Sequence, residues 1–374
     1  MIYEPIDQYN LRFVMVGVTA RCNAMCPGCP RNINGTTVNY EEIGPASHWD
    51  MPIELFKKFF TTNLINTLSE IEFCGSWGDP CIHPDIIEMV KYLKENHHGK
   101  KKLVCYFSTN GSMQTPQFWK TLGSLNNDDE KFIVSAGFCL DGSNQESHVK
   151  YRRLTDFDTI LSNAKSFMQG GGHASWQFIK FDHNAHEVDE AKAMSKELGF
   201  FKFQIKSGQG RLSGYLENEV EGKEAIYASK SKKNKEEKIY VNESESYKKM
   251  KEKFEEITKK KIDKINKKEM QEALDKIPVV CSWDKNNTNG ILFEYDGSIM
   301  RCCYHGTFTN KKEWLPIKER YGLGWNNIKN YDLKTILSHE FFASYLPESF
   351  VNPNGQFKRL RSCSEACGLH IPRK

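Results

Sequence analysis

Residues 11–30 read "LRFVMVGVTARCNAMCPGCP". A largely apolar, β-rich run leads into a polar loop that carries three cysteines, Cys22, Cys26 and Cys29. Three thiols on so short a loop suit a metal centre better than a disulfide pair, because an odd set cannot close on itself. A structural zinc site takes four protein ligands, usually as two Cys-x2-Cys halves. An iron-sulfur cube on three cysteines instead leaves one iron open to a substrate or cofactor. No second pair lies nearby, and the next histidine, His48, reads as a surface or turn residue. The loop alone puts an iron-sulfur cluster first, with zinc and unligated thiols as alternatives.

Downstream of this loop, short β-rich runs alternate with segments of helical period. "IELFKKFFTTNLINTLSE" predicts one helix with Leu55, Phe59, Leu64 and Leu68 near one face, and "IEFCG" a strand. "PDIIEMVKYLKEN" predicts a helix with proline at an early position, followed by the strand "KLVCYFSTNG". "PQFWKTLGSL" leads to "KFIVSAGFCLDG", "DFDTILSNAKSFMQGG" to "ASWQFIKF", and "EVDEAKAMSKELGF" to "FKFQIKS". Six β/α units within about 210 residues imply a parallel sheet with right-handed crossovers. Six fall short of the eight that close a full barrel, so the fold class is α/β, either a partial TIM-type barrel or an open doubly wound sheet. In both, chemistry sits at the carboxyl ends of the strands, where "TARCNAMC", "CGSWGDP", "STNG", "LDGSN", "FDHNAH" and "KSGQG" fall.

Composition narrows the class. Twelve cysteines in 374 residues, behind an N-terminus without a basic segment and long apolar stretch, read as a reducing, cytoplasmic setting. No run approaches eighteen apolar residues, so no membrane span is expected. A net charge of +4 on this length does not predict nucleic-acid binding.

The order of motifs resembles the radical S-adenosylmethionine (SAM) superfamily over about residues 11 to 210. The features are a first strand followed by Cys22-x3-Cys26-x2-Cys29, a second ending in Gly78-Asp79-Pro80, and a third ending in Ser108-Thr109-Asn110-Gly111. The resemblance implies a partial (β/α)6 barrel in which the three cysteines hold a 4Fe-4S cluster and the amino and carboxylate groups of SAM chelate its open iron. An electron from that cluster then cleaves the sulfonium, and the 5'-deoxyadenosyl radical abstracts hydrogen from substrate. It further implies that Gly78, Asp79 and Pro80 present backbone carbonyls to the SAM ammonium and that Ser108, Thr109 and Asn110 lie near its ribose or methionine. Cys139-Leu140-Asp141-Gly142 and the downstream "HVKYRR" resemble segments that place Asp141 and Arg153, with Arg152 as competitor, in the SAM or substrate region. Two departures stand out. Gly28 occupies a position where many relatives carry an aromatic residue, and Cys139 replaces a usual serine.

Residues 216–277 are dominated by lysine and glutamate, with Met250, Phe254 and Ile257 as a thin apolar stripe. This reads as a solvated linker or helical insertion, with a lid or a docking surface as the alternative. The chain thus divides into a barrel at 1–215, the linker, and a small α+β domain at 278–374. In that last part "ILFEYDGSIMRCC" predicts a hairpin turning on Asp296-Gly297, with Tyr295 facing Ser298, Phe293 facing Met300 and Ile291 facing Cys302. "CSEAC" spaces Cys363 and Cys367 one helical turn apart. Cys281, Cys302, Cys363 and Cys367 resemble the set of a twitch module, a truncated SPASM extension, which implies a second, auxiliary 4Fe-4S cluster. Zinc is the alternative for any four-thiolate site. Cys74, Cys81 and Cys105 read as small buried hydrophobes.

The implied activity is hydrogen abstraction from a small-molecule or sugar-like substrate, with the auxiliary cluster accepting an electron and a flavodoxin or ferredoxin supplying the first one. Peptide maturation is the near alternative. The first strand begins near residue 11 and leaves no room ahead of it for a leader-binding domain, which favours a small molecule or a leader bound in trans. A non-catalytic zinc or iron-sulfur protein and a lysine-rich scaffold complete the set of readings.

Overall fold

The structure is a computed structural model. It describes residues 6–29, 31–33, 36–38, 48–74, 77–126, 131–206, 252, 254–256, 258–260, 267–277, 279, 281, 283, 289–306, 314–364 and 367. Six parallel strands form its centre: β1 (Phe13–Gly17), β4 (Glu70–Phe73), β5 (Leu103–Thr109), β6 (Phe132–Cys139), β7 (His173–Ile179) and β8 (Lys202–Lys206). A separate two-strand ribbon, β2 (Asn32–Ile33) with β3 (Thr37–Val38), follows the cysteine loop. The helices between the strands are α1 (Ile53–Phe59), α2 (Thr62–Ile65), α3 (Ile86–Asn96), α4 (Pro116–Gly123), α5 (Gln145–Tyr151), α6 (Phe157–Gln169) and α7 (Val188–Glu197).

Strand alternation explains the layering. In β5, Leu103, Cys105, Phe107 and Thr109 are buried against the helices, while Val104, Tyr106 and Ser108 are half-buried on the other face. The helix side is aromatic: Phe73 stacks on Phe107 at 4.5 Å, and Phe59 stacks on Phe293 at 4.1 Å. The inner face is polar. It carries Glu72, Tyr106 and Ser108, with Gln177 and Lys206 on the strands beyond.

Several boundaries differ from the sequence reading. The helix expected from Ile53 to about Glu70 is two, because the chain turns at Phe60 and Thr61 restarts it by accepting a hydrogen bond from Leu64 N at 3.3 Å. α3 begins at Ile86, after Pro84 and its cap Asp85, so that proline precedes the helix. α5 is an extra helix, capped by the Asn144 side chain accepting from Ser147 N.

The hairpin also departs from expectation. β9 (Gly290–Glu294) and β10 (Ile299–Met300) pair with Phe293 opposite Ile299 and Leu292 opposite Met300, one residue away from the expected register. Tyr295, Asp296 and Gly297 form a three-residue loop in which Gly297 takes φ +95°. Asp296 fixes it by accepting from Ser298 N and Oγ. Moreover, β9 is not a ribbon apart from the barrel. It lies parallel beside β1, so the sheet runs β10-β9-β1-β4-β5-β6-β7-β8 as a partial barrel.

Of the lysine-rich stretch, residues 207–251 lie outside the described residues, as does Ile257, so the expected stripe is represented by Phe254 alone, which is buried. Cys81 and Cys105 are core residues, whereas Cys74 is half-buried at the end of β4.

Candidate active site

The cysteine loop leaves the carboxyl end of β1 and is clamped on both sides. Ala20 N donates to Trp49 O at 2.8 Å, Thr19 Oγ1 to Asp50 Oδ1 at 2.7 Å, and Arg21 pairs with Asp50 at 2.8 Å. Asn32 Nδ2 donates to Cys26 O at 3.3 Å, and Cys29 N closes a turn on Cys26 O at 3.1 Å. Burial pushes all three thiols upward, Cys29 to about 11, with neighbouring Cys26 raising it further. As thiolates, these buried and mutually repelling sulfurs would need compensating positive charge, of the kind a metal cluster supplies. Among the described residues, no three His, Cys, Asp or Glu side chains form a group that could hold one metal ion.

Gly78, Asp79 and Pro80 lie directly under this loop. Asp79 N donates to Arg21 O at 2.8 Å, and a Cβ on Gly78 would come within 2.2 Å of Thr19 O, so only glycine permits this approach. The Asp79 carboxylate is buried and fully engaged. It accepts from Cys81 N at 3.0 Å, Asn110 N at 2.7 Å and Thr109 Oγ1 at 2.9 Å, tying the β4 and β5 ends together. Burial lifts its pKa, and those hydrogen bonds oppose the lift. Asp79 and Thr109 thus use their side chains for scaffolding. Asn110 Nδ2 reaches Cys22 Sγ at 3.5 Å and Asn23 Oδ1 at 2.9 Å, and Ser108 turns inward to Glu72 at 3.3 Å.

At the β6 end, the guanidinium facing the cysteines belongs to Arg152 rather than to Arg153. Arg152 Nε pairs with the fully buried Asp141 at 2.6 Å, and its Nη1 lies 3.8 Å from Cys26 Sγ. Burial opposes its charge, but Asp141 holds it protonated well above its ordinary range. The reason is positional: Arg152 ends α5 in a non-helical conformation that aims it back at the sheet, while Arg153 contributes its carbonyl to Met25 N at 3.0 Å. His148 braces the pair, accepting from Asp141 N at 3.2 Å and donating to Thr155 Oγ1 at 2.9 Å. Burial, then Arg152, pushes His148 down to about 3, so it stands neutral.

Below these groups lies the inner wall of the barrel. Cys139 Sγ donates to Gln177 Oε1 at 3.6 Å, and Gln177 donates in turn to Tyr106. Burial, reinforced by Glu70, pushes Glu72 up to about 7. Sequence reasoning missed Glu72, although its alternation with Ile71 and Phe73 in "EIEF" marks it as inward-facing.

A second cysteine group meets as the sequence suggested. Cys281, Cys302, Cys363 and Cys367 line one pocket, together with Arg301 and His305. Cys281 and Cys302 are buried, and burial with Cys281 nearby pushes Cys302 up to about 12. The loop after β10 and the short helix Arg361–Cys363 bring the members together from three segments of chain, around Cys281, around Cys302, and from Cys363 to Cys367. A donor set of four thiols around one cavity has the chemistry of a thiolate-ligated cluster, while the described side chains form no group that could hold a single metal ion such as zinc. Arg301 and His305 were not singled out from sequence, although both flank Cys302 in "RCCYH".

No family model matches the chain. Over 155 residues it is 26% identical to the tungsten-containing aldehyde ferredoxin oxidoreductase cofactor-modifying protein of Pyrococcus furiosus, covering 38% of this chain. The match spans only 39% of that relative. SuiB of Streptococcus suis bound to SAM superposes with a TM-score of 0.50 at 12% identity, over 90% of this chain and 68% of SuiB. The radical SAM enzyme anSMEcpe with bound AdoMet gives 0.54 at 16% identity, over 95% and 85%. The fold is that of the radical SAM enzymes. With bound AdoMet and a Cp18Cys peptide, anSMEcpe gives 0.52 at 15% identity, over 95% of this chain and 88% of that one.

Proposed function

We propose that this chain is a radical SAM enzyme that cleaves SAM reductively and abstracts hydrogen from a polar small molecule. The observation that carries this reading is the convergence at one end of the partial barrel. Cys22, Cys26 and Cys29 sit on the β1 loop, with the Gly78 turn packed under it and Asn110 and Arg152 reaching two of the sulfurs. Cys22, Cys26 and Cys29 would hold one 4Fe-4S cluster. Cys281, Cys302, Cys363 and Cys367 would hold an auxiliary one. When bound, such clusters would supply the electron that cleaves the sulfonium and accept one from the deprotonated substrate radical as it becomes the oxidised product.

The chain's own residues then do the rest. Arg152, fixed by Asp141, places a permanent positive charge beside Cys26, and Asn110 offers an amide N–H beside Cys22. The wall of Glu72, Ser108, Tyr106 and Gln177 supports a substrate rich in hydroxyl or amino groups. Oxidising such a carbon removes one hydrogen atom, one proton and one electron, and Glu72, raised to about 7, is suited to take the proton near neutral pH. The relative named for modifying a cofactor also supports a small-molecule substrate. A low-potential donor such as a flavodoxin or ferredoxin would deliver the first electron.

A second reading, modification of a peptide, is favoured by the neighbour that carries AdoMet and a peptide together. The test common to both is anaerobic reconstitution, reduction with dithionite and addition of SAM. About eight irons with release of 5'-deoxyadenosine, abolished in Cys26→Ala, is the expected result. Bound zinc without SAM cleavage overturns the reading.

A further inference from the structure

Among the groups of the auxiliary pocket that the four-cysteine pattern does not use, His305 lies against one of the cysteine sulfurs. His305 Nε2 lies 3.4 Å from Cys363 Sγ. The imidazole is 1% exposed and wedged edge-on between Trp314, at 5.5 Å, and Phe341, at 6.1 Å, so it has one orientation. Its backbone N–H donates to Cys302 O at 3.0 Å, which ties the ring's position to a second cysteine of the same pocket. The other ring nitrogen, Nδ1, is buried without a hydrogen-bond partner among the described residues. A buried ring held this way at an unpartnered nitrogen's expense is costly unless the remaining nitrogen makes a strong contact. A neutral thiol is a weak acceptor, whereas a metal-bound thiolate is a strong one.

We propose that His305 is a positioning residue of the auxiliary centre, donating Nε2–H to the sulfur of Cys363 and thereby raising the reduction potential of the cluster that this sulfur ligates. The inference rests on the reading of this pocket as a cluster site. A hydrogen bond to a ligating sulfur stabilises the more negative, reduced state, because it withdraws charge from the thiolate. His305 therefore favours electron acceptance at this pocket.

The test uses the full chain with Cys22, Cys26 and Cys29 all changed to alanine, so that only the auxiliary centre carries iron. Iron and sulfide are counted, and the reduced cluster is titrated potentiometrically by electron paramagnetic resonance. His305→Phe keeps the ring shape between Trp314 and Phe341 but removes the donor, and His305→Gln restores an N–H near the Nε2 position. The expected result is about four irons per chain in all three proteins, with the reduced-to-oxidised ratio at the parent midpoint about tenfold lower in His305→Phe. That ratio is about 59 mV for one electron. In His305→Gln the midpoint returns toward the parent. Retained iron with an unmoved midpoint in His305→Phe overturns the inference alone. Iron lost from His305→Phe overturns it as well, the ring then being a ligand or a structural prop. No iron in the parent overturns the auxiliary-cluster reading and this inference with it.

Discussion

A single missing side chain at Gly78 lets two strand ends close on each other. Its hypothetical Cβ would meet Thr19 O at 2.2 Å and Arg21 O at 2.7 Å, both backbone atoms of the cysteine loop, so nothing flexible can yield. Gly78→Ala is expected to lower stability by about 1–3 kcal/mol and to displace the loop, reducing iron retained by Cys22, Cys26 and Cys29. Thermal unfolding with iron counting checks this, and an unchanged protein would refute the close approach. Glu72 gives a prediction of a different kind. Its folded pKa of about 7 lies above the ordinary value of 4.5, chiefly through burial. A raised acid binds its proton more tightly when folded, so its contribution is fully favourable below 4.5 and is lost as pH rises to about 7. Glu72→Gln should therefore gain melting temperature relative to the parent between pH 4.5 and about 7 and hold a constant gain above. Equal pH profiles for the two proteins would contradict this. At this scale the sequence was informative about residue types and less so about direction. The cysteines and Gly78 were legible because spacing names them, whereas the choice of Arg152 over Arg153 depends on where α5 unwinds.

Among the elements, α6 is the clearest case of a helix specified by its first residue. Asp156 caps it by accepting from Thr159 N at 2.7 Å, and hydrogen bonding from the Thr159 side chain and then from its backbone N–H lowers the carboxyl's pKa. Asp156→Ala should destabilise the protein by about 1 kcal/mol. Because the pKa is depressed, that contribution is present above the unfolded carboxylate range and disappears as pH falls through the folded value. Denaturant titrations of both proteins at neutral and acid pH measure it. The strand–helix alternation was legible because β-branched and aromatic runs and helical periods are local. Two boundaries were not. Thr61 restarts a helix that periodicity alone carries through, and α5 is too short to show a period, although Asn144 supplies a cap. The hairpin register slipped because Asp-Gly is as compatible with a three-residue loop ending in left-handed glycine as with a two-residue turn.

For the molecule as a whole, the pairing of β9 with β1 carries the greatest consequence. Ile291, Leu292 and Phe293 are all fully buried, each contributing about 1.5–3 kcal/mol to a sheet whose six central strands all lie before residue 207. A chain cut after Lys276 should therefore fail to give a barrel with cooperative unfolding, instead binding dyes that report exposed apolar surface. A sharp thermal transition in the truncated protein would show that residues 278–374 fold on a barrel complete without them. This pairing was not legible, since parallel strands distant in sequence leave no local signal. The gathering of Cys281, Cys302, Cys363 and Cys367 into one pocket was legible only through a resemblance of pattern.

The same pairing sets a timetable. Val14 and its partner Ile291 are separated by 291 − 14 = 277 residues, which at about 5–20 residues per second is roughly 14–55 s of synthesis. Throughout that interval one edge of the first strand has no strand to meet, while the loop that follows it already displays all three thiols. If the three thiols hold the cluster proposed above, whatever delivers iron and sulfide meets a nascent chain whose first site can be filled before its wall exists. Shielding of that open edge, as much as supply of metal, should limit the yield of active protein.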